Sequence, residues 1–464
     1  MKKTFKRAGV AVLSMAMLLS MGAVGAMSAS AYTGDNGGLT VTSTATTIKA
    51  YKVAEFTDGA WSWVSGITGV TAADMTTVLE AENNADSLKT IANKLAADSG
   101  KGQGTDITAG TEAELAPGYY LLISSGAGKV YQNKLVEVKK GAASAITDDK
   151  SNPVTINKTI TNVARGGEVI ADTSNKKASV ADNATITYKI ETDVPAYSNQ
   201  ATVASMHDYV ITDTYDANLK NISISSVSIG NDTLTRAASG NNTYVYGTGT
   251  NSFTVTVDKA TVLAHPNTKV VVTFTAQFDA PETPATDYKY PNNAELKYDN
   301  TFNATGGEDT LTSEADVYSV PLKIYKTDGT NAITSADGKF KISGSGISDQ
   351  EVTLDASGYA KFDSLPAGEY TITETKAPDG YKAISGTAAT ITISVANDGT
   401  VTVDGAEKDN ADKYYSKTIV NTPQESLPGT GGMGTVLFTV GGAAIVLAAG
   451  AMFVVYMRKR KNEE

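Results

Sequence analysis

Two sets of lysine, carboxylate and asparagine stand in runs whose alternation would turn them into a protein interior. In a β-strand, residues two apart share a face. Leu322, Ile324 and Lys326 therefore lie on one face, as do Tyr370, Ile372 and Glu374, and Ile419 and Asn421. The pattern also occurs earlier, in Val154, Ile156, Lys158 and Ile160, in Tyr209, Ile211, Asp213 and Tyr215, and in Asn292, Ala294, Leu296 and Tyr298. Burying a lone Lys or Glu costs several kcal/mol unless it is paired or neutralised. Desolvation favours the neutral amine and the neutral acid. A neutral amine is a nucleophile, and a protonated carboxylic acid can polarise a carboxamide and shuttle protons. Attack of Lys326 on Asn421 would expel ammonia and leave an isopeptide bond. Taken singly, each residue also fits a strand edge with its polar head in solvent.

The run from Tyr370 to Tyr381 contains Glu374, Thr375, Ala377, Pro378 and Gly380 in fixed order. It closely resembles the E-box of pilin and collagen-binding-protein B-type domains. The resemblance implies that Lys326 is the nucleophile, Glu374 the catalytic proton shuttle and Asn421 the acceptor. Each such domain reacts once, on itself, so the chain is not an enzyme by turnover. The segment around Asp213 resembles the second domain of backbone pilins, where an aspartate replaces the glutamate. That implies Lys158 as nucleophile, Asp213 as shuttle and Asn292 as acceptor, with Asn293 the alternative if the register slips by one. Lys326 lies in a first strand and Asn421 in a last one, so a bond between them would carry tension past the folded domain.

These residues need strands to position them. The body of the chain is rich in Thr, Val, Ile, Tyr, Ser and Gly, with short alternating runs between turn residues, which is the pattern of tandem Ig-like β-sandwich domains. The expected fold is mainly all-β, with some helix near the N-terminus. About 400 residues are too many for one core. The expected domains are 32–150, 151–318 and 319–423, after a signal peptide at 1–31 and before a linker and sorting region at 424–464. Strands are expected at Val130–Val138, Ala184–Thr192 and Lys269–Phe278, and one helical stretch at Ala72–Leu95. The run Leu115 to Tyr120 echoes Leu365 to Tyr370. Superposing Gly118 on Gly368 sets Ser124 opposite Glu374, so the first domain is expected to lack such a bond.

Both ends carry membrane signals. Lys2, Lys3, Lys6 and Arg7 precede an apolar run from Ala8 to about Ala26, and Ala29-Ser30-Ala31 supplies a small-x-small cleavage site before Tyr32. Met433 to about Tyr456 is uncharged and long enough to span a bilayer, and Arg458, Lys459, Arg460 and Lys461 follow it. Leu427, Pro428, Gly429, Thr430 and Gly431 stand just before this span. They resemble the LPxTG sorting signal. The resemblance implies a sortase that cuts between Thr430 and Gly431, giving a secreted chain from Tyr32 to Thr430 anchored to peptidoglycan in a Gram-positive cell wall, with the membrane involved only in the precursor.

The net charge is −11, and removing the two basic ends makes the chain more acidic still, which argues against nucleic-acid binding. There is no cysteine, hence no disulfide staple, and only His207 and His265 offer imidazoles. Neither a metal site nor a cofactor is expected. Ser205, His207 and Asp208 are too close in sequence to converge as a triad. The resemblance to backbone pilins implies a polymerisation lysine near the end of the first domain. The usual motif is missing, and the candidates are Lys150, Lys139 and Lys140, with Lys150 favoured because it lies a short linker before Lys158. The leading reading is a backbone subunit of a covalently polymerised fimbria. Its partners would be a class C sortase for polymerisation, a housekeeping sortase for anchoring, and other copies of itself. The alternative is a monomeric wall-anchored adhesin or accessory pilin with a host surface ligand, for which the sequence carries no motif.

Overall fold

The computed structural model describes residues 35–461 apart from 81–84, 127, 149, 166–167, 171–175, 305–306, 345–346, 385–389, 404–406, 409–412 and 426–432. The signal-peptide reading with its Ala31–Tyr32 cleavage, and the motif Leu427–Gly431, lie outside the described residues.

The first domain joins a three-stranded sheet to a larger one built on Thr47–Thr57 and Gly118–Gly126. Leu39, Val41, Ile48, Leu122 and Val138 fill the space between the sheets. The helical stretch expected over Ala72–Leu95 is two helices, Ala72–Glu80 and Ala85–Ala97. Thr71 and Asp74 cap the first reciprocally, the Asp74 amide donating to Thr71 Oγ1 and the Thr71 amide to Asp74 Oδ2. Met75, Val78, Ile91 and Leu95 pack with Tyr119 and Leu121 in a second core. The strand expected at Val130–Val138 is also divided, into Lys129–Tyr131 and Lys134–Val138. Asn133 at the break is buried in polar contacts. Ser151–Pro153, expected at the start of the second domain, pairs instead with Lys129–Tyr131 of the first.

The second domain is a sandwich of two six-stranded sheets. One contains Ile156–Arg165, Thr185–Val194 and Thr268–Phe278; the other contains Tyr209–Tyr215, Ser252–Val257 and Asn292–Asp299. Alternation explains the core. Ile186, Tyr188 and Ile190 meet Val270, Val272 and Phe274 on one inner face, opposite Tyr209, Ile211, Ala294 and Leu296. A bulge between Ile160 and Asn162 shifts the phase of the first strand, so Val163 turns inward again.

The third domain has the same plan on a smaller scale. Val320–Thr327 is flanked by antiparallel Tyr359–Leu365 and parallel Tyr415–Val420. The facing sheet is built around Lys339–Gly344 and Gly368–Lys376. The two turns that echo each other in sequence also match in structure: Tyr120 Oη donates to Ala116 O at 2.8 Å and Tyr370 Oη to Pro366 O at 2.7 Å. Met433–Lys461 is a single helix, and its segment from Val436 has mean hydropathy 2.2 and is exposed along its length.

Candidate functional site

In the second domain, Lys158 sits on the first strand of one sheet, directed at the other. Asp213 and Asn292 lie there on adjacent strands, where Asp213 pairs with Ala294 and Tyr215 with Asn292. All three side chains are fully buried. Lys158 Nζ donates to both Asp213 Oδ2 and Asn292 Oδ1. The Tyr188 and Phe274 rings, stacked on each other, stand 5.1 and 5.4 Å from the amine. Beside these rings the amine has no exposure to solvent. Burial pushes the Lys158 ammonium down to about 8, against the pull of Asp213, and pushes the Asp213 carboxyl up. Asp213 Oδ1 and Asn292 Nδ2 have no hydrogen-bond partner among the described residues. Asn293, the alternative acceptor, lies on the opposite face of the strand, across from Thr214 and Glu314.

In the third domain, the lysine and asparagine share one sheet and the acid comes from the other. Lys326 is paired with Ile419 across parallel strands, and the Asn421 amide donates to Thr327 O at 2.9 Å, so both side chains project at one end of the core. Lys326 Nζ stands 2.8 Å from Glu374 Oε1 and 5.3 Å from the Phe340 ring centroid. Asn421 Nδ2 donates to Glu374 Oε1 and to Lys382 O, each at 3.2 Å. The Ile384 amide holds the other carboxylate oxygen at 3.2 Å. Burial lowers the Lys326 pKa more than Glu374 raises it. Val420 between them is 55% exposed while Asn421 is 1% exposed, which is the alternation of a strand end with one wet face.

Both sites bring an amine, a carboxyl group and a carboxamide together in the interior, beside the Tyr188 and Phe274 rings in one and the Phe340 ring in the other. Such a site can form an amide bond by amine attack, with the acid carrying the proton to the departing nitrogen. In the first domain, Ser124 occupies the position matched to Glu374, buried and with its hydroxyl unpartnered among the described residues. A buried ion pair that sequence reasoning did not reach, Lys134 with Asp148 at 3.4 Å, lies elsewhere in that domain. His207 Nδ1 contacts Asp299 Oδ1 at 2.6 Å, a pairing with a residue far away in sequence. Of the three candidate polymerisation lysines, Lys139 and Lys140 pair with Glu137 and Asp35, whereas Lys150 is exposed at the junction of the first two domains.

Residues 320–409 match the SpaA family, described as a prealbumin-like fold domain, and residues 419–464 match the LPXTG cell wall anchor motif. This is an LPXTG-anchored surface protein. The fold is that of backbone pilins, and solved structures that cover most of the chain include the following three. The T6 backbone pilin of Streptococcus pyogenes is 16% identical, with a TM-score of 0.53 over 84% of this chain and 94% of its own. The full-length major pilin SpaD of Corynebacterium diphtheriae is 17% identical, with a TM-score of 0.51 over 84% and 98%. The fimbrial protein FimP of Actinomyces oris is 16% identical, with a TM-score of 0.51 over 86% and 100%. No curated protein sequence matches the chain. The anchor match spans the exposed apolar helix and its basic end, which fits a sorting region at the cell wall.

Proposed function

We propose that this protein is the backbone subunit of a sortase-assembled pilus, stiffened by two intramolecular bonds, Lys158–Asn292 and Lys326–Asn421. The observation that carries the reading is the repeated burial of an amine, an acid and a carboxamide in contact, in a chain that ends in a wall-anchor signal. In each site the neutral lysine nitrogen attacks the asparagine Cγ. The new C–N bond forms, the C–Nδ2 bond breaks, and ammonia leaves. Asp213 or Glu374 gives its proton to the departing nitrogen and recovers one from the attacking amine, so the acid is unchanged at the end.

Polymerisation needs a nucleophile that an enzyme-bound threonine can reach. Lys150 is exposed and has no ion-pair partner among the described residues, in contrast to Lys139 and Lys140. In this reading a class C sortase joins Thr430 of one copy to Lys150 of the next, and a housekeeping sortase attaches the last copy to peptidoglycan. Wall extracts of cells making the protein would then show a ladder of covalent multimers. Lys150→Ala should abolish the ladder and leave wall-attached monomer. A ladder that survives the substitution would reject Lys150, and no ladder from the parent chain would favour a monomeric adhesin.

A further inference from the structure

The second-domain site contains a polar group that the bond-forming scheme leaves unused. Tyr188 is fully buried on Thr185–Val194, in the sheet that carries Lys158, and its ring is stacked on Phe274. Its hydroxyl lies against the Asn292 side chain without a well-formed hydrogen bond. Neither that hydroxyl nor Asn292 Nδ2 has another partner among the described residues. A buried phenol normally finds a partner, and leaving it without one is costly.

The third domain provides the contrast. There the nitrogen of the reacting carboxamide is held by a backbone carbonyl, Lys382 O, as well as by the acid. In the second domain no backbone carbonyl holds Asn292 Nδ2 among the described residues, and the unsatisfied hydroxyl that the lysine-bearing sheet sets against the Asn292 side chain is that of Tyr188. A carboxamide free to rotate presents Cγ to Lys158 in the wrong orientation part of the time. One fixed at both ends stays in attack geometry.

We infer that Tyr188 is a positioning residue for the Lys158–Asn292 bond, its hydroxyl accepting from Asn292 Nδ2 and keeping Oδ1 turned toward Lys158 and Asp213. The role rests on the bond proposed above. As the tetrahedral centre collapses, the same oxygen receives the N–H of the departing ammonia, while the proton still comes from Asp213. Tyr188 undergoes no net protonation change.

The test uses the whole exported chain and Tyr188→Phe, which retains the ring and its stacking on Phe274. Bonded fractions of the second and third domains are read separately, as cross-linked peptides, at fixed times after synthesis. The expected result is at least tenfold slower formation of the second-domain bond, with the third-domain bond forming at the parental rate. Parental kinetics in the second domain would overturn the role. A companion pair separates positioning from folding support: on a Lys158→Met background, where no bond can form, Tyr188→Phe should leave the unfolding transition unshifted or raised. A lowered transition there would assign the hydroxyl to structure instead. If the parent itself forms no second-domain bond, it is the proposed bond that fails.

Discussion

Replacing Glu374 with glutamine removes the proton carrier of the third-domain site while preserving its shape. The glutamine side chain would still fill the space between Lys326 and Asn421, and its carboxamide would still accept from the Ile384 amide now held by Glu374. It has no proton to give, so ammonia cannot leave and the Lys326–Asn421 bond should not form. The bond would close a loop of about 95 residues, and the chain-entropy relation for cross-links gives ~4–5 kcal/mol for a loop of that size. A further cost arises because Lys326 stays buried beside Phe340 without its carboxylate, and an uncompensated buried charge is worth roughly 3–5 kcal/mol. Part of that second cost is relieved when the amine becomes neutral, which burial already favours. The entropic share alone corresponds to a fall in melting temperature on the order of 20 °C for a domain of ~100 residues.

The assay is intact mass followed by thermal unfolding of the same sample. The parent chain should weigh less than its sequence by two ammonias and the Glu374→Gln chain by one. In the variant the third domain should melt first and become the earliest site of protease cleavage. A variant that still lacks two ammonias would refute the assignment of Glu374 as proton carrier. A parent at full sequence mass would refute both bonds. A variant with the expected mass but an unshifted melt would mean that the native fold, rather than the cross-link, sets the resistance of this domain.

Two other predictions follow from the same geometry. The second-domain reaction needs the amine of Lys158 and the acid of Asp213 neutral at once, so its rate should be level between the raised Asp213 pKa and about 8, the lowered Lys158 value, and fall on either side. A rate rising steadily to high pH in a pH-jump series on newly made protein would contradict this pairing. Under force applied between Lys150 and Thr430, the proposed bonds bypass residues 159–291 and 327–420, and the 33 residues between Asn292 and Lys326 can extend by only roughly 110 Å, against roughly 900 Å for residues 151–423 without bonds. Single-molecule pulling that yields long extensions in the parent would exclude a bonded shaft.

The sequence made the inward faces legible because period-two alternation is strict in Val154–Ile160, Tyr209–Asp213 and Asn292–Tyr298, and a lysine or acid among aliphatics stands out there. It also suggested the helical content near the N-terminus, which the described residues place at Ala72–Glu80 and Ala85–Ala97. Alternation identifies a face without identifying its partner. That is why nothing in the sequence singled out Tyr188: its placement against Asn292 depends on two sheets packing. The buried asparagines Asn93, Asn133 and Asn303 were unreadable for the same reason, since they are brought together from three separate segments. Ser151–Pro153 fell at the start of the second domain by the expected boundary after residue 150. It adds to an edge of the first domain's sheet instead, where a proline is tolerated.

Those asparagines bear on how a first domain without a proposed bond can serve a fibre under load. In the proposed fibre, tension entering at Lys150 would pass directly to Ile156–Arg165 without crossing residues 35–148. The first domain therefore needs no cross-link of its own; it needs only to keep Lys150 presented. Asn133 Nδ2 donates to Asn93 Oδ1 and to Asn303 Oδ1 at 3.1 and 2.9 Å, Asn303 Nδ2 donates to Asn93 O, and Ser198 Oγ donates to Asn303 Oδ1. The Gly128 amide donates to Tyr298 Oη, and the Val154 amide returns to Gly128 O. These contacts clamp the first domain to the strand that carries Asn292 and to the linker just beyond Lys150. Hydrogen bonds suffice at a joint that would carry no axial load, and the proposed covalent bonds lie where the load would run. The Gln132 amide donates to Lys150 O at 3.0 Å and Ser151–Pro153 pairs with Lys129–Tyr131, so the exposed lysine is held at the joint between the two domains.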